Sequence, residues 1–230
     1  DTRPDVFVAE PVGSCTDLLA TVSYPLGRLY GEHYTIAPLS VLVDPERAER
    51  VLGLASGRSF SAKVLYVYEK QLEEADFLVV NKLDQLDAER AERLCAALAA
   101  RFPRARLFRV SARDGAGLES WFEALLAEEC TPRATMALDY KAYAEGEAEL
   151  GWLNATLALE GATPFDANAL LRDLAEGIRA RLPAGSEIAH LKLTLDPLLT
   201  DGQLAALSLV STAGAADERE TLFDKVERCS

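Results

Sequence analysis

The feature that most constrains this chain is an alternation of short, β-branched apolar runs with longer stretches of helical periodicity. Leu39 to Val43, Phe77 to Val80 and Leu107 to Val110 each have the length of a buried strand. Between them, Ser59 to Ala75 carries Val64, Val67, Tyr68, Leu72 and Ala75 along one side, and Ala88 to Phe102 carries Ala91, Leu94 and Leu98 before Pro103 stops it. Asp44-Pro45 supplies an N-cap and first helical position for a short helix through Leu52, and Leu118 to Leu126 closes the series with Leu118, Trp121 and Leu125 on one face. Strands that alternate with helices of ten or more residues predict parallel βαβ units, hence an α/β domain covered on both faces. The run Val6-Phe7-Val8-Ala9, broken by Glu10-Pro11-Val12-Gly13, reads as a further buried strand ending in a loop.

The rhythm breaks at Cys130-Thr131-Pro132-Arg133, so the sequence divides at residue 130 into an N-terminal α/β domain and a C-terminal α+β domain spanning 131–230. From Gly151, Leu153, Ala155, Leu157 and Leu159 alternate with polar residues as a half-buried strand would. Thr163-Pro164 opens a helix with the stripe Leu171, Leu174, Ile178 and Leu182. Leu191, Leu193 and Leu195 alternate again, and Leu204 to Val210 follows the turn Asp201-Gly202. This predicts a β-α-β-β layer, part of a ferredoxin-like split βαβ unit. The tail from Asp217 has no strong pattern.

Composition enters by exclusion. Lys and Arg total 24 against 37 Asp and Glu, a net charge of −13, the wrong sign for a nucleic-acid backbone or an anionic membrane surface. No apolar run reaches membrane-spanning length, and no charged-then-apolar signal segment or lipid anchor is indicated. Cys15, Cys95, Cys130 and Cys229 lie far apart with no CxxC pair, which fits a reducing, cytoplasmic setting better than a disulfide framework.

The sharpest chemical signal is Asn81-Lys82-Leu83-Asp84, directly after one strand and before a helix. In an NKxD loop the Asp can accept from both guanine N1–H and its exocyclic amine, the Asn braces the loop and reaches the base, and the Lys stem packs on the base face. The same residues also suit a solvated strand-to-helix turn. Ser111-Ala112 follows the next strand, where a backbone N–H can meet guanine O6, and in a parallel sheet the two loops emerge side by side at the carboxyl edge. Glu10 and Gly13 form an ExxG element, in which the acid can hold a magnesium ion through water and the glycine N–H can reach a terminal phosphate.

Together, Val8-Ala9-Glu10-Pro11-Val12-Gly13, the stretch Gln71 to Asp76 leading into Asn81-Lys82-Leu83-Asp84, and Val110-Ser111-Ala112 with Gly115 and Gly117 resemble the CobW-like branch of the CobW/HypB/UreG GTPases. The resemblance covers about the first 130 residues. It implies a P-loop-type scaffold, GTP and Mg2+ as cofactors, and hydrolysis coupled to delivery of a metal such as zinc or cobalt, or a metallocofactor, to a client protein, often through nucleotide-dependent homodimers. No GxxxxGK[ST] occurs in the sequence, so the chain reads as though the family's first strand, P-loop and following helix lie outside it or have been lost. In the second case it would be a non-catalytic interaction module on a GTPase scaffold.

Other metal groups are thin. Cys15 with His33 is conceivable as a thiolate and imidazole pair, although an incidental cysteine explains it equally simply. Glu145, Glu147 and Glu149 would share one face if Ala144 to Leu150 is extended. His190, Lys192 and Thr194 fall opposite Leu191 and Leu193; with Trp152, Asn154 and Thr156 they make either a docking face or a plain solvated one.

Overall fold

A computed structural model describes residues 4–56, 60–130, 136–159, 163–196, 204–213 and 217–220. The fold is mixed α/β, with one three-stranded parallel sheet and one small antiparallel sheet. The chain divides into two compact units, 1–151 and 152–230.

In the first unit β1 (Ser40–Val43), β2 (Phe77–Val80) and β3 (Arg106–Arg109) lie side by side and parallel, Ser40 beside Phe77 and Phe77 beside Arg106. Between β1 and β2 come α2 (Pro45–Val51) and α3 (Ala62–Glu74), between β2 and β3 comes α4 (Ala88–Arg101), and α5 (Leu118–Ala127) follows β3. β2 is buried along its whole length because it is covered twice. Leu78 and Val80 pack with Leu72, Leu94 and Leu98 on one side, while Phe77 and Val79 pack with Phe108, Val110 and Ala124 on the other. Caps fix the helix starts: Asp44, Ser61 and Asp87 each accept from the backbone N–H three residues on. The predicted start of α3 at Ser59 lies outside the described residues.

Several expectations need correction. Val6 to Ala9 is not a strand: it is irregular and exposed, with Val8 92% accessible. None of the described strands pairs with it, and alternation without a hydrogen-bonded neighbour does not hold a strand. The chain between Leu19 and Tyr30, which carries no clear pattern because Pro25 and Gly27 interrupt it, is helical: a π-helical segment Leu19–Ser23 running into α1 (Tyr24–Tyr30). Ala144 to Leu150 is not extended either. It belongs to α6 (Tyr140–Ala148), capped by Asp139, which accepts from Lys141 N and Ala142 N. α6 packs on α3, so the first unit runs past the break foreseen at residue 130.

In the second unit α7 (Ala167–Arg181) packs on a meander of β4 (Leu191–Leu195), β5 (Ala205–Leu209) and β6 (Asp217–Glu220). Leu191, Leu193 and Leu195 turn toward α7 with Ala205, Leu207 and Leu209, as their alternation predicts. The helix face is the expected stripe in part: Leu171 lies in the core and Leu182 packs against it, but Leu174 and Ile178 do not. Ala167, Leu171 and Ala175 are buried, whereas Leu174 and Ile178 are each 37% exposed, because small alanines let the helix sit close to the sheet. The cap is Asp166 rather than Thr163, accepting from Ala169 N at 3.0 Å. Residues 151–159 form no strand, and Trp152, Leu153 and Leu157 are exposed, so Trp152 does not share a sheet face with His190. His190 is exposed, as expected, and lies 3.0 Å from Ser208 Oγ. Thr131 to Arg133, the turn Asp201-Gly202 and the tail beyond Glu220 with Cys229 lie outside the described residues.

Candidate functional site

Three loops leave the carboxyl edge of the parallel sheet together, where ligands of open α/β sheets bind. Backbone bonds stitch their roots: Asn81 N donates to Val43 O at 3.1 Å, Val110 N to Val80 O at 2.9 Å, and Leu83 N to Val110 O at 3.3 Å. Lys82 takes the left-handed conformation, φ 60°, which turns the chain sharply into the single 3-10 turn Leu83–Gln85.

Side chains lock the loops to one another. Asn81 Oδ1 accepts from Lys82 N at 2.8 Å and from Ala112 N at 2.9 Å, so one amide oxygen holds both loops. Ser111 Oγ donates to Asp84 Oδ1 at 2.8 Å, and Arg113 NH1 lies 3.7 Å from Asp84 Oδ2. Lys82 Nζ reaches Asp44 Oδ2 at 3.2 Å, while Asp44 Oδ1 caps α2 through Arg47 N at 3.0 Å. Asp44 therefore belongs to the cluster as well as to its helix. Its signal in the sequence was its place one residue after an apolar run, which also fits a cap. Arg113 went unnoticed although it adjoins Ser111-Ala112.

The Ser111 loop is shaped by two glycines. Gly115 and Gly117 have φ of 84° and 74°, and Ser111 N donates to Ala116 O at 2.9 Å across the turn they make. Asp114 Oδ1 accepts from Ala116 N at 3.0 Å, and that bond holds its carboxyl below the usual carboxylate range. The result is a polar rim in which the Asp84 carboxylate, the Lys82 side chain and the Ser111 loop lie side by side.

The remaining foreseen residues fall elsewhere. Glu10 is exposed in irregular chain, and Gly13 is anchored on α3, its carbonyl accepting from Gln71 Nε2 at 2.9 Å. Cys15 is half-buried with its carbonyl on the same amide, and His33 is exposed. The three glutamates do not line up, because α6 turns them apart. Glu145 and Glu149 both meet Lys63 Nζ, at 3.1 and 3.5 Å, Ser61 donates to Glu149, and Glu147 accepts from Ser14 Oγ at 3.0 Å. Among the described residues no three His, Cys, Asp or Glu come together as a metal site, and no helix is long and apolar enough to cross a membrane.

The chain matches no protein-family profile and no curated protein sequence. Among solved structures it is similar to the Zn(II)-bound YjiA GTPase from E. coli. The sequence identity is 17% and the TM-score 0.30, over 89% of this chain and 59% of that one. This chain thus spans less than two thirds of that structure's length.

Proposed function

We propose that the Asn81 and Ser111 loops form the guanine-reading part of a GTP-binding domain, in a protein that couples GTP hydrolysis to delivery of a metal or metallocofactor. The observation that carries the base-reading step is the mutual bonding of the two loops: Asn81 bridges to Ala112, and Ser111 orients Asp84. Ser111 on Oδ1 and Arg113 near Oδ2 orient the Asp84 carboxylate, whose oxygens keep lone-pair sites that match two adjacent donors. Guanine offers that pair in N1–H and its amine, and adenine does not. Lys82, pinned at its tip by Asp44, lays its methylene stem where a base face would rest. Ala112 N–H is already engaged by Asn81, so a base O6 would share that donor.

The phosphate side is different. Glu10 and Gly13 stand apart in irregular chain, and the sequence contains no GxxxxGK[ST]. In this reading Glu10 would hold a magnesium ion through water, with the nucleotide phosphates and further waters completing its oxygen shell. The cargo metal, the client and the dimer rest on the resemblance alone. The exposed Glu10 segment favours a second reading, a non-catalytic interaction module on the same scaffold.

The test is nucleotide selection. The chain should prefer guanine over adenine nucleotides, and Asp84→Ala should remove about 3 kcal/mol, roughly a hundredfold, from that preference through two lost charge-assisted hydrogen bonds. An Asp84→Ala chain with the parental preference would refute the base-reading role. GTP turnover by these 230 residues alone would count against the module reading.

A further inference from the structure

The acceptor on which the second base donor must land already faces a cation. Asp84 Oδ1 accepts from Ser111 Oγ at 2.8 Å, and Asp84 Oδ2 lies 3.7 Å from the Arg113 guanidinium. Along the edge of a 6-oxopurine the groups run O6, N1–H, then the C2 substituent. The Ser111-Ala112 side is where O6 would be read, so Oδ1, the oxygen bonded to Ser111, faces N1–H. Oδ2 is then left for the exocyclic amine. A carboxylate oxygen has two lone-pair sites, so Oδ1 can keep Ser111 and still accept N1–H. At Oδ2 the newcomer meets a cation.

Resting on the guanine reading above, we propose that Arg113 is a specificity-determining residue of this site. It competes with the guanine amine for Asp84 Oδ2 and so narrows the gap between guanine and hypoxanthine, which keeps N1–H but lacks the amine. Hypoxanthine leaves the Arg113–Asp84 pair undisturbed, whereas the guanine amine must approach Oδ2 beside the guanidinium and crowds it aside. Adenine fails at N1 whatever Arg113 does. The displacement is a mild one, because the Arg113 side chain is 50% exposed and rehydrates when it leaves, whereas Asp84 is only 17% exposed. An always-charged guanidinium makes this competition independent of pH across the neutral range and dependent on salt.

Nucleosides isolate the effect because they carry no phosphate charge. Guanosine, inosine and adenosine are titrated by NMR into the full 230-residue chain, its Arg113→Ala and Arg113→Gln variants, and Asp84→Ala, with circular dichroism to establish that each is folded. Both Arg113 variants should bind guanosine about two- to fivefold more tightly, the range an exposed ion pair provides, with inosine unchanged. Raising the salt should tighten guanosine on the parent chain and leave it flat on Arg113→Ala. If Asp84→Ala loses the guanosine preference while the guanosine-to-inosine ratio is the same with and without Arg113, the proposed role is overturned and the base-reading site stands. If Asp84→Ala binds all three nucleosides as the parent does, the site itself is overturned and the role of Arg113 with it.

Discussion

Gly117→Ala should be far more damaging than Gly115→Ala, although both glycines have positive φ in the same loop. Placing an L residue at Gly115 costs about 1–2 kcal/mol of backbone strain, offset by roughly 0.4–1 kcal/mol from a stiffer unfolded chain. A new Cβ there meets nothing within 4 Å, so the net loss should be near 1 kcal/mol. At Gly117 a Cβ would sit 2.0 Å from Arg109 O and 3.3 Å from Val110 Cα, where ordinary contact begins at 3.4 Å. Those atoms belong to the end of β3 and its exit, and Val110 N is bonded to Val80 O. The overlap therefore cannot be relieved by a rotamer change. Adding about 1–3 kcal/mol for forced overpacking brings the expected loss to about 3 kcal/mol or more. Relief would shift Ser111 and Ala112, so guanosine binding should fall with stability. The assay is urea unfolding followed by Trp121 fluorescence in a Trp152→Phe background; Trp121 lies in the first unit, where its Nε1 donates to Ser40 Oγ at 3.0 Å. Equal losses for the two variants would refute the steric reasoning.

Arg90→Met should cost about 3 kcal/mol, because Glu49 is 1% exposed and would lose a two-point contact with Arg90 at 2.6 and 3.3 Å. The double variant Glu49→Met/Arg90→Met should recover most of that, and a double variant no better than the single would argue against a buried-charge origin. Burial pushes the Tyr68 hydroxyl pKa well up, with Asp44 adding to the effect and Arg47 opposing it, so the unfolded chain ionises first and stability should fall as pH rises past about 10. Tyr68→Phe should flatten that alkaline loss and leave neutral stability equal or higher, since the hydroxyl is buried without a hydrogen-bond partner among the described residues; an unchanged alkaline slope would contradict it. Glu74→Ala should strip the buried Leu19 N–H of its 2.7 Å acceptor, costing about 1–3 kcal/mol and speeding proteolysis between residues 13 and 30, and unaltered cleavage there would count against this tether.

What was legible in the sequence was what local chemistry decides. Phe77 to Val80 is apolar at every position because both its faces are covered, and the loop after it could be placed because a strand's end fixes where the next residues emerge. Alternation alone misled at Val6 to Ala9 and at 151–159: it says which face a strand would bury, not whether another strand lies beside it. α6 was hidden by Gly146, which reads as a helix breaker. Its missing side chain is instead what lets α6 approach α3, since a Cβ there would lie 2.6 Å from Lys63 O. On α7 the long apolar residues drew the stripe toward Leu174 and Ile178, while Leu171 shares the interface with Ala167 and Ala175, which carry little hydrophobic signal. At the site, Asn81, Lys82, Asp84, Ser111 and Ala112 were legible by type and position. The ion pairs of Lys82 with Asp44 and of Asp84 with Arg113 were not, because they depend on which loops the sheet order makes neighbours.

The two sheets differ in how far along the chain each strand must search for its neighbour. Ser40 has to find Phe77 across two intervening helices, and Phe77 has to find Arg106 across one, whereas Leu195 meets Ala205 after a short connection. Closing long loops costs entropy before any contact repays it, so the meander of the second unit can assemble early and the parallel sheet must wait for its helices. The rim formed by the Asn81 and Ser111 loops, which exists only where three distant strand ends have been brought level, is then among the last surfaces of the chain to mature.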